Sequence, residues 1–260
     1  MRYLQLINFE LASTCPFAAE HQEFCPAFKM PRGAPIDDQL IIVAAVSFYK
    51  DTEFSGLIGF HYYCDPWAER ERMGRIMKAI LGIVPAARFL LWSNAAMHAV
   101  SVYESEKLLP LFEQVHVTIY NDLEEKESAT AIQNIAKHCP NIFVHYQRDD
   151  DRIHPQMPKP GPCFLPFLEL SFDSSGKVHA CCYDWKGEIN LGNIRDGVSE
   201  VVKKWTAFRF DLSVAPHGTP MMGRCAPERC KLCGHRNSNL CGIDEYIAKR
   251  TQEALKNGEV

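Results

Sequence analysis

The sequence predicts an α/β fold with a parallel sheet over residues 1–150, followed by a small α+β unit over residues 151–260. Three observations carry this. Strand-like and helix-like apolar patterns alternate through the first half. Gln147 to Pro162, with four prolines, three consecutive aspartates and few apolar residues, reads as a boundary. Seven of the 11 cysteines then fall between Cys163 and Cys241.

Tyr3 to Phe9 is a β-rich apolar run, and Gln39 to Phe48 fits helix or strand on pattern alone. Gly56 to Tyr63 reads as a strand. Asp65-Pro66 then supplies an N-cap and a first helical residue. Trp67, Met73, Ile76, Met77 and Ile80 follow at helical spacing. Arg88 to Trp92, Val115 to Tyr120 and Asn141 to Tyr146 are further strands. Between the last two, Asp122 and Glu125 form a capping box for a helix carrying Leu123, Ile132, Ile135 and Ala136.

In the second half, Phe164 to Phe172 and Val178 to Tyr183 read as strands joined by Ser174-Ser175-Gly176 in a hairpin. Asp196 to Phe210 is an amphipathic helix with Val198, Val201, Val202, Trp205 and Phe208 on one side. Ile243 to Val260 reads as a terminal helix.

A chain of 260 residues, 47% hydrophobic and 23% charged, buries a sizeable core. The net charge of −4 and scattered basic residues argue against a nucleic-acid partner. The longest apolar stretch, Leu40 to Tyr49, is half a membrane span, and the N-terminus lacks a secretory h-region. The expectation is a cytoplasmic protein with no membrane partner.

In that compartment clustered thiols argue for metal rather than disulfides. Cys163 and Cys181 flank the hairpin, and Cys230-x2-Cys233 is a two-thiolate loop. Four thiolates close either a [4Fe–4S] cluster or a tetrahedral zinc site, and spacing alone does not choose. Cys182, beside Cys181, is expected to point the other way as a packed thiol. Cys225 and Cys241 are left over.

Cys163, twelve residues, Gly176, four residues, Cys181 resembles the opening of the SPASM/twitch domain of radical S-adenosylmethionine (SAM) proteins. The stretch CYDWKGEINLGNIRDGVSEVVKKW and the Cys230-x2-Cys233 pair resemble later parts of that domain. Cys241 departs from the longer SPASM pattern, so the single-cluster twitch form fits better. The resemblance implies a partial (β/α) barrel followed by an auxiliary [4Fe–4S] cluster on Cys163, Cys181, Cys230 and Cys233.

Such proteins hold a second [4Fe–4S] cluster on three cysteines, and its open iron binds SAM. Here Cys15, at the end of the first strand, and Phe24-Cys25 resemble the outer ligands of that loop, but the middle cysteine is missing. Three readings stay open: Cys64 supplies the third thiolate, His21 ligates instead, or the site is degenerate. Gly59 to Pro66 resembles the strand that holds the SAM amino group, which makes Asp65 a candidate as well as an N-cap. By the same resemblance Asn94, Thr118 and Asn121 are SAM-site candidates.

The enzyme reading is a 5′-deoxyadenosyl radical that abstracts hydrogen from a peptide or small polar substrate. The auxiliary cluster relays an electron, and an electron-donor protein supplies the first one. The alternatives are a non-catalytic iron–sulfur carrier or partner subunit, and a zinc-binding structural protein.

Overall fold

The computed structural model describes residues 4–18, 25–29, 33–94, 107–120, 132–133, 135–146 and 165–213. The first strand, β1 (Leu6–Phe9), is the centre of a seven-stranded sheet. Its N-terminal neighbours run outward on one side: β2 (Leu57–Gly59), β3 (Arg88–Asn94), β4 (Gln114–Ile119) and β5 (Ile142–Tyr146), all parallel. On its other side lies β6 (Glu169–Phe172), also parallel, with the short antiparallel β7 (Val178–His179) beyond. The sheet therefore runs continuously from the first half of the chain into the second.

Three helices cover one face: α1 (Asp38–Asp51), α2 (Arg70–Ile83) and α3 (Val198–Ser213). The ambiguous run after Gln39 is thus helix, started by Asp37, whose carboxylate accepts from Gln39 N. Period-two alternation sends Ile7, Phe9, Ile58, Phe89, Leu91, Val115, Val117, Leu170 and Phe172 into one core with Ile41, Phe48, Met73, Ile76, Met77, Ile80, Val201 and Trp205. Phe172 stacks on Phe9 at 5.0 Å, and Phe48 of α1 meets it edge-on at 6.2 Å. Arg72 of α2 donates to Asp38 Oδ1 at 2.5 Å, to Leu11 O at 2.7 Å and to Ile36 O, pinning the chain after β1.

Asp65 does cap a helical segment, but the first turn, Pro66–Glu69, is 3₁₀ before α2 begins. Phe164 to Phe172 is not one strand. Leu165–Leu168 is a helical turn, and Pro166 suits the start of such a turn better than a sheet interior. The second hairpin strand stops at His179, so Cys181 and Cys182 lie in the turn beyond it, both half-buried. The opposed-face argument for Cys182 therefore does not apply.

The hairpin itself forms as expected. Asp173 accepts Ser175 N and Lys177 N on Oδ1, and Gly176 sits at φ +85. A Cβ there would come within 2.6 Å of Ile194, which explains the glycine of the cysteine-spaced motif. The helix near Asp122, Asn121 and the terminal helix lie outside the described residues apart from 132–133 and 135–138, where Ile135 is buried but Ala136 is exposed. No helix among the described residues is long and apolar enough to cross a membrane.

Candidate functional site

All six parallel strands end at one edge of the sheet, where an α/β architecture places its ligands. Cys15 follows β1, Cys64 and Asp65 follow β2, Asn94 ends β3 and Thr118 lies next to the end of β4. The register pairs Asn94 with Thr118. His21 and Asn121 lie outside the described residues.

Two buried carboxylates organise this edge. Glu10, directly after β1, accepts Tyr63 N and Cys64 N on Oε1, both at 2.9 Å, and Ser174 N on Oε2 at 3.1 Å. One side chain thus joins β1, the loop after β2 and the C-terminal hairpin. Asp65 accepts Trp67 N at 2.9 Å and Ser93 Oγ at 2.7 Å on Oδ1, and Asn94 N at 2.6 Å on Oδ2. Burial pushes its pKa up to about 6 against the pull of those three donors. Its N-cap role is therefore filled, and the three donors named here take three of roughly four acceptor sites on a carboxylate, two on Oδ1 and one on Oδ2.

Cys15 is half-buried, Cys25 and Cys64 buried. Burial raises the Cys15 thiol, while N–H groups of Asp65 and Phe17 pull the other way, and Asp65 and Cys25 are close enough to act on it by charge. Among the described residues no three His, Cys, Asp or Glu side chains stand as a group able to hold a metal. Cys15 and Cys25 are thus electrostatic neighbours, and the described residues do not gather Cys64 with them into a three-donor set.

In the C-terminal unit, Cys163, Cys230 and Cys233 lie outside the described residues. Cys181 sits in a tight loop built on the buried Asp184, which accepts Glu188 N at 2.8 Å and Ile189 N at 3.4 Å. Burial raises the Asp184 pKa. His179 stands between two acceptors, Asp184 O and Asp173 Oδ2. The Cys181 carbonyl accepts from Tyr62 Oη at 2.9 Å, and that of Cys182 from Tyr63 Oη. A half-exposed thiol on so fixed a loop suits a thiolate ligand, so Cys181 fits an iron–sulfur cluster.

The inner face of β3–β5 carries a further array that the sequence reading did not single out. His116 Nδ1 and His145 Nε2 are 2.8 Å apart, and the two rings are coplanar within 7°. Trp92 stacks on both, at 4.9 and 5.0 Å, and Phe143 stacks on His116 at 4.6 Å. Trp92 donates to Thr118 Oγ1 at 2.7 Å, so Thr118 is tied to the wall. Gln114 Oε1 lies 3.5 Å from His116 Nε2, and the tautomers of the two rings set which of them donates across the 2.8 Å contact. Burial first, then His145 and His61, push the His116 pKa down to about 3. The alternation Val115-His116-Val117-Thr118 was the available signal, since it sets His116 and Thr118 on one face.

Comparison with known proteins agrees with this architecture. Residues 163–234 match SPASM, an iron–sulfur cluster-binding domain. A crystal structure of BtrN in complex with AdoMet and 2-DOIA superposes with a TM-score of 0.62 at 18% identity, covering 91% of this chain and 94% of that one. BtrN in an open conformation gives 0.59 at 19% identity, covering 88% and 92%. No curated protein matches. The expected resemblance is borne out as a likeness: residues 163–234 match the SPASM iron–sulfur cluster-binding domain, and the chain has the fold that BtrN shows.

Proposed function

We propose that the chain is a radical SAM enzyme in which residues 151–260 hold an auxiliary [4Fe–4S] cluster on Cys163, Cys181, Cys230 and Cys233. The observation that carries this is the seating of the hairpin before Cys181 directly beside β1, so that the cluster-binding unit faces the edge where the parallel strands end. When bound there and reduced by one electron from a donor protein, SAM supplies a 5′-deoxyadenosyl radical for hydrogen abstraction from a peptide or small polar substrate. The chain's own part is positional. Glu10 and Asp65 hold the loop 61–65, and Asp65, at the end of β2 beside Asn94, is assigned the amino group of SAM. Asn94 and Thr118 line the same edge.

A second reading is favoured by the missing middle cysteine between Cys15 and Cys25. In it the N-terminal half is a scaffold, and the protein carries electrons or partners an active enzyme through its C-terminal cluster alone.

Anaerobic purification with iron and sulfide quantification separates the readings. About 8 irons per chain, an EPR spectrum altered by SAM, and 5′-deoxyadenosine formed with dithionite support the enzyme. About 4 irons, a spectrum indifferent to SAM and no 5′-deoxyadenosine overturn it in favour of the scaffold, and bound zinc without iron overturns both.

A further inference from the structure

Two consecutive tyrosines reach across 119 residues of sequence to two consecutive cysteines. Tyr62 Oη donates to Cys181 O at 2.9 Å, and Tyr63 Oη donates to Cys182 O. Both tyrosines are buried, at 5% and 6% exposure, and their ring centroids are 4.0 Å apart. Tyr62 also lies 5.0 Å from His179, the last residue of β7. The same segment is fixed from below, because Glu10 binds Tyr63 N and Cys64 N with one oxygen and Ser174 N with the other. Packing alone would be served by phenylalanine. The hydroxyls instead address the main chain of the cysteine pair in the cluster-binding unit.

We propose that Tyr62 and Tyr63 are positioning residues for the C-terminal cluster, which place the Cys181 sulfur and tune the potential of the cluster it binds. This rests on Cys181 being a cluster ligand. A hydroxyl donated to a carbonyl polarises that peptide and makes its N–H a better donor. The peptides concerned carry the N–H groups of Cys182 and Tyr183, the two that immediately follow the ligand sulfur. Hydrogen bonding around cluster sulfurs is a main determinant of reduction potential. Stronger donors favour the reduced, more negative cluster, so loss of either hydroxyl lowers the potential. Tyr62 and Tyr63 also belong to the loop that carries Cys64 and Asp65. A ligand seated on that loop therefore acts on the C-terminal cluster through the same two bonds.

The test uses the full chain, reconstituted anaerobically, in a Cys15→Ala, Cys25→Ala background so that EPR reports the C-terminal cluster alone. Tyr62→Phe and Tyr63→Phe are compared with the parent and with Tyr49→Phe, whose hydroxyl donates to Gly56 O, before β2 rather than after it. The expected result is unchanged iron and sulfide content, a lower midpoint potential in each of the first two variants, a larger shift in the double variant, and no shift for Tyr49→Phe. Potentials and EPR line shapes indistinguishable from the parent in both variants overturn the proposal. Cys181→Ala separates its failure from that of the underlying reading. If that variant keeps its full iron, Cys181 is not a ligand and both fall. If it loses the cluster while the tyrosine variants behave as the parent, only the positioning role falls. Should the phenylalanine variants fail to bind iron, rescue by replacing Tyr62 with 4-aminophenylalanine, which restores an N–H donor at the para position, supports the role, and failure of rescue overturns it.

Discussion

Acidification from about pH 7.5 to about pH 5 should cost the folded chain roughly 2 kcal/mol at His116 alone. The ring is 1% exposed, closed in by Trp92, Phe143, His145 and His61, and stays neutral down to about 3. In the unfolded chain it protonates near 6.5. A depressed histidine pKa means that the unfolded state binds more protons below 6.5, so stability is complete above that value and falls as pH drops toward 3. At pH 5 the gap from the unfolded value is about 1.5 units, at about 1.4 kcal/mol each. His145, also shifted down by burial, adds loss of the same sign. His116→Gln removes the titration and keeps a hydrogen-bonding side chain. At neutral pH this variant should be less stable by about 1 kcal/mol, the typical loss of one hydrogen bond. It should then lose about 2 kcal/mol less than the parent on acidification. Urea unfolding of both proteins at both pH values, followed by circular dichroism under anaerobic conditions, gives the double difference. Parallel pH dependence in the two proteins would refute a neutral, desolvated His116.

Gly56→Ala places a Cβ 2.2 Å from the Gln5 carbonyl, which already accepts Leu57 N at 2.7 Å. The obstruction is backbone, so β2 must move off β1. A thermal melt should register a loss of about 2–3 kcal/mol, and a change below about 0.5 kcal/mol contradicts the close approach. Glu10→Gln turns one acceptor end toward main-chain N–H groups as a donor. A loss of about 1–3 kcal/mol in urea is expected, with β1 and the C-terminal hairpin gaining hydrogen exchange together. Cys181→Ala should lose the C-terminal cluster's iron. Cys139→Ala should keep it, because the Cys139 thiol is fully buried and donates to Phe112 O and Asn141 O at 3.7 Å. Iron and sulfide assays decide both.

What the sequence could disclose divides along local and non-local lines. Periodicity located β3, β4, β5 and the buried face of α2, because each pattern repeats within a dozen residues. Asp65-Pro66 located a helix start, and Gly176 a turn, because caps and positive φ are properties of one or two residues. Pro166 was a legible sign against a continuous strand from Phe164, but an apolar run of that length masks it. The bonds from Tyr62 to Cys181 and from Glu10 to Ser174 join residues 119 and 164 positions apart, and nothing in either neighbourhood announces its partner. The His116–His145 pair was closer to reach. Both strands were visible, but the pairing needs the register that sets Thr118, not His116, opposite His145.

The placement of β1 governs how the two halves relate. Residues 1–150 contain a chain of parallel strands from β1 to β5, which taken alone would leave β1 at the edge with unpaired N–H and C=O groups. Instead β6 pairs along all four residues of β1, from Leu6 with Glu169 to Phe9 with Phe172. The helix side is shared in the same way, since Trp205 and Val201 of α3 belong to the core that holds Phe48 and Ile58. The described part of the second half, from Leu170 to Phe208, is therefore part of the same hydrophobic core. That sharing gives a physical reason to expect the C-terminal cluster to respond to events at the strand ends. Glu10, at the end of the central strand, is hydrogen-bonded to both sides at once. A displacement of the loop after β2 cannot be absorbed without loading the hairpin that leads to Cys181.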